Sequence, residues 1–584
     1  MEAFISSLAE LTPTLAGPYL SVLRIVFPLL TAVFLYRCLK PMLTFQREPE
    51  VWGWLRMADG NALPVTHWEN VIGRNRRSDI VIDFPTISRS HAVLTRYDDG
   101  SWTVRDIGSK GGVLVNGMPV SLYAISEGDV ISLGGVELTL EPVSAREASD
   151  HSALRKKVGY LQSPGLTLLL LTLMQLLVGL QMVLSAEQEF LSGIVIGFGG
   201  LMAMEWLLYI FFRLIHRRGF EVENLAFFLS TMGLAVVASA APGEMVKQLV
   251  TIFLGLAIYL TVGWSLRNLE RAQKFRYLAA AAGIGLLALN LLLGKEINGA
   301  KNWIVIGPLS IQPSELVKIC FVYTGASALD RIVTKRNLIL FIAYSAAICM
   351  CLALMNDFGT ALIFFAAFLV IAYLRSGSLG TLALALAALG FAGVMALKFA
   401  PHALRRFSVW GHVWEDPFNA GYSQTRAMMC MAAGGLLGLG GGHGWLRYVM
   451  AGDTDLVFGT VSEEWGLLVG MMMVIGIAGL AIFVVRSASQ GRSSFYTISA
   501  CAAVSILAVQ TILNVLGTVD ILPLTGVTFP FVSNGGSSMM SSWGLLAFIK
   551  AADTRQNASF AIRLDKPQPE EEPPMEFEEE FAYE

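Results

Sequence analysis

Polar residues interrupt this chain at long, nearly regular intervals. Apolar runs begin near residues 20, 164, 191, 223, 247, 277, 314, 337, 358, 379, 464, 495 and 537. A helix needs ~20 such residues to cross a bilayer. Between the first and second runs the period changes. From about Val51 to Pro142, short segments such as SWTVRDI, VLVNG and VELTLEP alternate apolar and polar positions and are broken by Gly and Asp turns. Alternation with period two between turn signals predicts a β-sandwich. The expected fold is therefore a polytopic α-helical membrane protein of about 13 transmembrane helices, with a β-sandwich inserted after the first.

Composition agrees with that class. Of 584 residues, 54% are hydrophobic and 15% charged, more apolar surface than one soluble core buries. The net charge of -3 conceals an asymmetry: the tail after Lys566 carries eight Glu and no base, which leaves the rest at +5. Basic residues are retained on the cytoplasmic side, and they occur at every second loop: Arg213, Arg217 and Arg218; Arg267 to Arg276; Arg331 to Arg336; Arg375; Arg486 and Arg492; Lys550 and Arg555. Glu2 and Glu10 precede the first run, while Arg37, Lys40 and Arg47 follow it. That order is the reverse of a signal peptide's and predicts an uncleaved anchor with its N-terminus outside. The sandwich and the acidic tail are then cytoplasmic, and the loops at 295–313 and 399–462 face outward. The six cysteines, at 38, 320, 349, 351, 430 and 501, lack metal or disulfide spacing and are expected to pack as thiols. The expected setting is a membrane crossed many times, with no nucleic-acid partner.

Ionisable residues at the membrane boundary are the candidate chemistry. The stretch Arg447 to Gly470 sets Asp453, Asp455, Glu463 and Glu464 at the mouth of an apolar run. Ordinary interfacial carboxylates account equally well for Asp453 and Glu464. Asp455 differs, because Leu456, Val457 and Phe458 follow it. Desolvation there raises a carboxyl pKa and a nearby cation lowers it, which is how a general base is tuned. Glu315 and Lys318 stand three apart, on one helix face; they are a structural ion pair or the lining of a polar cavity. Asp357 is a third boundary acid, or an N-cap. Arg405 and Arg406 close the apolar segment before the long loop, as an anion clamp or as snorkelling interfacial side chains. Ser533 and Ser537 open the last run, as anion ligands at a helix N-terminus or as caps. Seven glycines lie among residues 434–444; with no Gly-Lys-Ser/Thr following, close chain packing explains them better than a nucleotide loop.

Within the sandwich, VIGRNRRSDIVI, ISRSHAVL and VRDIGSKGGVLVNG resemble the forkhead-associated (FHA) domain. That resemblance implies binding of a phosphothreonine protein through Arg74 and Ser88, with Arg89 and Asn116 in support and His91 bracing the loops. An Arg with a Ser hydroxyl suits a dianionic phosphate. The chain departs from the FHA pattern at Gly111, where that family has a peptide-reading Asn. Arg76, Arg77, Arg89 and Lys110 offer electrostatic compensation, or form a solvated basic face.

Further on, NGAKNWIVIG, IQPSELVK, NDFGTAL, VWEDPFNAGYSQ, DTDLVF, EEWG and LPLTGVTFPFVSNGGSS resemble the SEDS family of cell-shape, division and sporulation proteins, FtsW and RodA among them. The resemblance spans about 223–552 and implies a ten-helix core. It implies a peptidoglycan glycosyltransferase that polymerises lipid II outside the membrane with a class B penicillin-binding protein, using a divalent cation (Mg or Mn). The essential acid falls on Asp455, also the candidate metal contact. The functional intramembrane residues fall on Glu315, Lys318 and Asp357, and Glu463 is the next candidate for the base. Asn534 stands where the family commonly has Tyr. The organisation expected is a membrane anchor (1–48), an FHA-like sandwich (49–145), a linker with two further helices (146–222), the SEDS-like core (223–552) and an acidic tail (553–584). A lipid II flippase or a non-catalytic phosphopeptide-binding scaffold are the rival classes, and elongation, division and sporulation remain open. The alternating basic loops predict that single Cys probes at Ser109 and Asn419 label from the cytoplasmic and outer sides respectively. Labelling of both from one side contradicts the count of membrane crossings.

Overall fold

The structure is a computed structural model. It describes residues 2–560 apart from 45, 48–49, 77, 98–99, 144–146, 148–156, 159–162, 218, 298–299, 307–308, 329–334, 377–378, 400–403, 405–406, 489–490, 492 and 556–557. Every apolar run is a helix. The order is α1 (Glu2–Thr44), α2 (Pro164–Ser185), α3 (Leu191–Leu214), α4 (Glu221–Ala240), α5 (Met245–Ser265), α6 (Leu269–Leu293), α7 (Pro313–Ala328), α8 (Lys335–Leu354), α9 (Phe358–Ser376) and α10 (Leu379–Phe399), then α11 (Tyr422–Gly434), α12 (Val457–Glu464), α13 (Leu467–Ala488), α14 (Ser494–Thr518) and α15 (Gly536–Ala551). Among the described residues, eight spans are long and apolar enough to cross a membrane, carried by α1–α6, α13 and α14. The chain is a multi-pass membrane protein. Helices α7 and α15 have 16 residues each, about 24 Å at 1.5 Å per residue, which is less than the ~30 Å hydrocarbon thickness.

The bundle is organised around α4, whose apolar window is 100% buried. Its small residues permit close approach. A Cβ at Gly233 would stand 2.8 Å from the carbonyl oxygen of Phe531, so only glycine admits the 529–533 segment there. Gly255 of α5 likewise receives Trp543 of α15, whose Cδ1 lies 2.9 Å from where a Cβ would be. At one end of the bundle the last helix is latched to the first core helix by buried ion pairs. Lys550 meets Glu223 at 2.9 Å, and Arg555 joins Glu221 at 3.0 Å to Asp553 at 2.6 Å. Each buried charge has a partner, as its desolvation cost requires.

The β-rich domain comprises β1 (Gly53–Met57), β2 (Ala62–Val65), β3 (Glu69–Gly73), β4 (Ile80–Val81), β5 (Ala92–Arg96), β6 (Trp102–Asp106), β7 (Val113–Val115), β8 (Met118–Val120), β9 (Leu122–Ile125), β10 (Val130–Leu133) and β11 (Val136–Pro142). One sheet has order β9-β6-β5-β3-β4 and the other β2-β1-β11-β10-β7-β8. The alternation in sequence is the alternation of faces: Leu55, Ile72, Leu94, Val104, Ile131 and Leu138 point into the shared core. This sandwich contacts the start of α14. The hydroxyls of Ser493 and Ser494 both donate to Glu69 Oε2 at 3.2 Å, and Trp68 packs edge-on against Tyr496 with centroids 5.9 Å apart. A carboxylate at a helix N-terminus is favourably placed.

Candidate active site and phosphopeptide loops

The Asp-Thr-Asp segment is a tight turn. Leu456 N–H bonds Ala451 O at 2.9 Å, with Ala451 in the left-handed region at φ 62°. Such a turn leaves its own carbonyls available, and all three carbonyls of Asp453, Thr454 and Asp455 are taken by distant segments. Asn514 of α14 donates to Asp455 O at 2.9 Å and to Val527 O at 2.8 Å. Ser533 donates to Thr454 O at 2.7 Å while accepting Phe529 N–H at 2.8 Å. Asn534 N–H donates to Asp453 O at 2.9 Å, and its side chain donates to Asp453 Oδ2 at 2.8 Å and Glu244 Oε2 at 3.2 Å. The consequence is a fixed backbone presenting two partly exposed carboxylates, Asp453 and Asp455. Asn514 is 20 residues from Ser494 along α14, about 30 Å. The Asp455 turn and the sandwich contact therefore lie at opposite ends of one membrane-length helix.

A polar path leads from this turn into the bundle along the start of α15. Thr528 and Ser538 share a hydrogen bond of 2.7 Å, and Ser537 accepts Gln312 N–H at 2.8 Å. Gln312 reaches Asp357 Oδ2 at 3.2 Å, where Asn302 also donates at 3.1 Å. Asp357 Oδ1 takes Thr360 N–H at 3.1 Å, so this acid caps α9 and joins the network as well. One turn deeper, Ser541 donates to Glu315 Oε2 at 2.8 Å, and Lys318 Nζ meets Glu315 Oε1 at 2.6 Å. Lys318 is fully buried, and this ion pair neutralises it.

The start of α15 thus links to Asp357 through Ser537 and to Glu315 and Lys318 through Ser541, while Ser533 and Asn534 just before it hold the backbone of the Asp455 turn. Glu463 and Glu464 face elsewhere. Glu463 accepts Trp445 N–H and Leu446 N–H, each at 2.8 Å. Glu464 accepts the Ser239 hydroxyl, with Gly442 N–H at 3.1 Å and Gly444 N–H at 3.2 Å. Both are buried and hold the Gly-rich loop in place. Arg405 and Arg406 lie outside the described residues. Sequence reasoning missed Asn514, Gln312, Asn302 and Ser541. Asn514 carried a signal, an amide in the apolar run TILNVLG, as did Gln312 immediately before Pro313. No group of three or more His, Cys, Asp or Glu side chains among the described residues is arranged to hold a metal ion.

In the sandwich, Gly73 explains the Gly-Arg pair. A Cβ at Gly73 would strike the Arg89 backbone, so glycine lets two loops close until Arg74 N–H bonds Ser88 O at 3.0 Å. Ser88 Oγ accepts Lys110 N–H at 2.9 Å. Fully buried His91 accepts Ser88 N–H at 3.1 Å through Nδ1 and meets Gly112 O at 2.9 Å through Nε2. Arg74, Arg76, Arg89 and Lys110 are exposed around this loop end. Asn116 is elsewhere. It turns the β7-β8 hairpin, donates to Asp129 Oδ1 at 2.7 Å and accepts Val130 N–H at 3.0 Å. The three-residue strand β7 separates it from Gly112, a Cα distance of roughly 13 Å. Backbone Ser126 N–H and the Asn116 amide hold the Asp129 carboxyl below its usual range.

Two family models match this chain. A family model described as Cell cycle protein (FtsW, RodA, SpoVE) matches residues 224–558, and one described as FHA domain matches 70–134. The chain belongs to the FtsW/RodA/SpoVE family and carries an FHA domain ahead of its membrane core. The probable peptidoglycan glycosyltransferase FtsW of Tolumonas auensis is 31% identical over 362 residues, covering 58% of this chain and 92% of that one. The peptidoglycan glycosyltransferase RodA of Mycobacterium tuberculosis is 29% identical over 327 residues, covering 52% and 69%. The solved rod shape determining protein RodA of Thermus thermophilus shares 25% identity over 57% of this chain and 95% of its own, with TM-score 0.42. Both resemblances read from the sequence hold.

Glu464 generates a pH prediction. Burial raises its pKa from 4.5 to about 7, against the opposing bonds from Ser239, Gly442 and Gly444. Between those values the folded chain holds a proton that the unfolded chain has released, so this group makes folding less favourable as pH rises through the window. Thermal melts of detergent-solubilised protein should show Glu464→Gln flattening the fall in stability between pH 5 and pH 7. An unchanged slope contradicts the assignment.

Proposed function

We propose that this chain is a glycosyltransferase that polymerises lipid II into glycan strands on the outer face of the bacterial cytoplasmic membrane. The observation that carries the reading is the Asp455 turn, pinned at three consecutive carbonyls inside the family-matched core and one membrane thickness from the FHA contact. Relatives named as peptidoglycan glycosyltransferases support it. In the reaction, the 4-hydroxyl oxygen of an acceptor sugar attacks the anomeric carbon of the donor. The bond from that carbon to pyrophosphate oxygen breaks, and undecaprenyl pyrophosphate leaves. The Asp455 carboxylate takes the hydroxyl proton, while the fixed turn holds it where the proton develops. The path through Ser537, Asp357 and Glu315 to Lys318 offers hydrogen-bonding groups to the substrate's polar head, and Arg405 and Arg406 are proposed for its pyrophosphate.

A divalent cation (Mg or Mn) is proposed to be held at Asp455. Such ions are often held by one or two carboxylates, substrate phosphates and water, and the cation would stabilise negative charge on the departing pyrophosphate. All 13 apolar helices are proposed to cross or enter the membrane, ten forming the core, with the FHA domain and acidic tail cytoplasmic. A class B penicillin-binding protein is the proposed partner outside and a phosphothreonine protein the partner inside.

Asp455→Asn is nearly isosteric and should leave folding intact, while loss of a general base lowers rate by about 10² to 10⁴. Polymer from labelled lipid II should vanish from a gel assay. A flippase working from its intramembrane charges would instead tolerate Asp455→Asn and fail with Glu315→Gln. Full polymerisation by Asp455→Asn would sink the assignment.

For the FHA domain, calorimetry should show preference for phosphothreonine over unphosphorylated peptides. Arg74→Ala should lose most of it, since a hydrogen bond to a charged group contributes about 1.5 to 3 kcal/mol. Equal binding of both peptides contradicts a phosphate-reading role.

A further inference from the structure

The family match begins at residue 224, so α1, α2 and α3 are additions to the core. Two of them grip the Gly-rich loop beside the Asp455 turn. From the end of α2, Gln181 Nε2 donates to Gly441 O at 3.1 Å, and the single Ser185 hydroxyl hydrogen is shared between that oxygen at 3.0 Å and Gln181 O at 2.9 Å. Gln181 also donates to Ser185 Oγ at 2.9 Å, which orients both donors. From α1, Leu20 lies where a side chain on Gly440 would have to be. Phe27 packs against Trp465 with centroids 5.0 Å apart. Arg24 of α1 and Glu464 both line a cavity of about 10 Å³ in this seam, about the size for one water.

The residue after Gly441 is the first of a chain of contacts leading to Asp455. Gly442 gives its N–H to Glu464 and its carbonyl to Arg447 Nη1 at 2.6 Å. The next amides hold Glu464 and Glu463, and the 3₁₀ turn Leu446–Tyr448 opens directly into the Asp-Thr-Asp turn. That turn is fixed on its far side by Asn514, Ser533 and Asn534. On its near side Thr460 of α12 donates to Gly452 O at 2.7 Å, and the loop 440–447, bonded to Glu463 and Glu464 of the same helix, leads into it.

We propose that Gln181 and Ser185 are positioning residues for glycosyl transfer: the added helix α2 holds Gly441, and through it the loop that leads into the near side of the Asp455 turn. The proposal rests on the reading that Asp455 acts in that transfer. Both donors share one acceptor, whose other neighbour, His443 Nδ1 at 3.2 Å, belongs to the loop itself, so losing both unties Gly441 from α2 without removing any group from the substrate path.

The experiment uses the full chain in lipid nanodiscs, as wild type, as Gln181→Leu with Ser185→Ala, as Ser185→Ala alone and as Ser185→Thr. Hydrogen exchange of the 440–447 amides is read together with steady-state polymerisation of labelled lipid II. In the double variant, loop exchange should rise about tenfold and kcat should fall about tenfold with KM unchanged. Ser185→Ala alone should give an intermediate change if the double variant fails to fold, and Ser185→Thr, which keeps the donor, should match wild type. Unchanged loop exchange, or faster exchange with wild-type kcat, overturns the positioning role and leaves the polymerase reading standing. A wild-type chain that makes no polymer overturns both.

Discussion

Three consecutive carbonyl groups fix where the candidate base sits. Those of Asp453, Thr454 and Asp455 are each taken by a donor from a segment between 59 and 81 residues away. A buried or half-buried carbonyl without a donor costs free energy comparable to a lost hydrogen bond. The turn, α14 and the lead-in to α15 must therefore fold together. The same lead-in carries Ser537, and through it Gln312 and Asp357, while the next turn of α15 carries Ser541 and Glu315. One stretch of chain thus aligns the outward carboxylates with the buried ion pair. Gly233 permits it, because only a residue without a side chain lets Phe531 and Val532 lie against α4.

The second organising element is α14, a ruler of about 30 Å between Ser494 and Asn514. Its first residues meet Glu69 and Trp68 of the FHA domain, and its last turns hold the Asp455 carbonyl. Packed helices of fixed length transmit a displacement between their ends more readily than loops do. The FHA domain thus touches α14 at the end opposite the one that holds the Asp455 turn.

The fold was largely legible in the sequence because burial imposes its own period. Each apolar run became a helix, and each alternating segment a strand. Gly-Arg and Ser-x-x-His were readable because the backbone approach at Gly73 and the His91 brace constrain residue type locally. Partnerships across the chain were not readable. An amide at 514 within an apolar run announces that something polar is near, yet nothing in the sequence names Asp455 O. Glu463 looked like a spare base, and in the structure it is buried with both its oxygens bonded by backbone N–H groups. Asn116 was misleading for a similar reason. An Asn-Gly pair that turns a hairpin with φ 52° reads the same, in one dimension, as one that faces a peptide.

The most direct test of the central claim is whether the purified wild-type chain makes glycan. Fluorescent lipid II is supplied to protein in nanodiscs with Mg or Mn, with and without a class B penicillin-binding protein, and the products are resolved by gel. The account predicts a ladder of glycan strands that collapses to disaccharide fragments on treatment with a muramidase. Lipid II recovered intact under every condition, from protein that still melts cooperatively and binds phosphothreonine peptide, would contradict it.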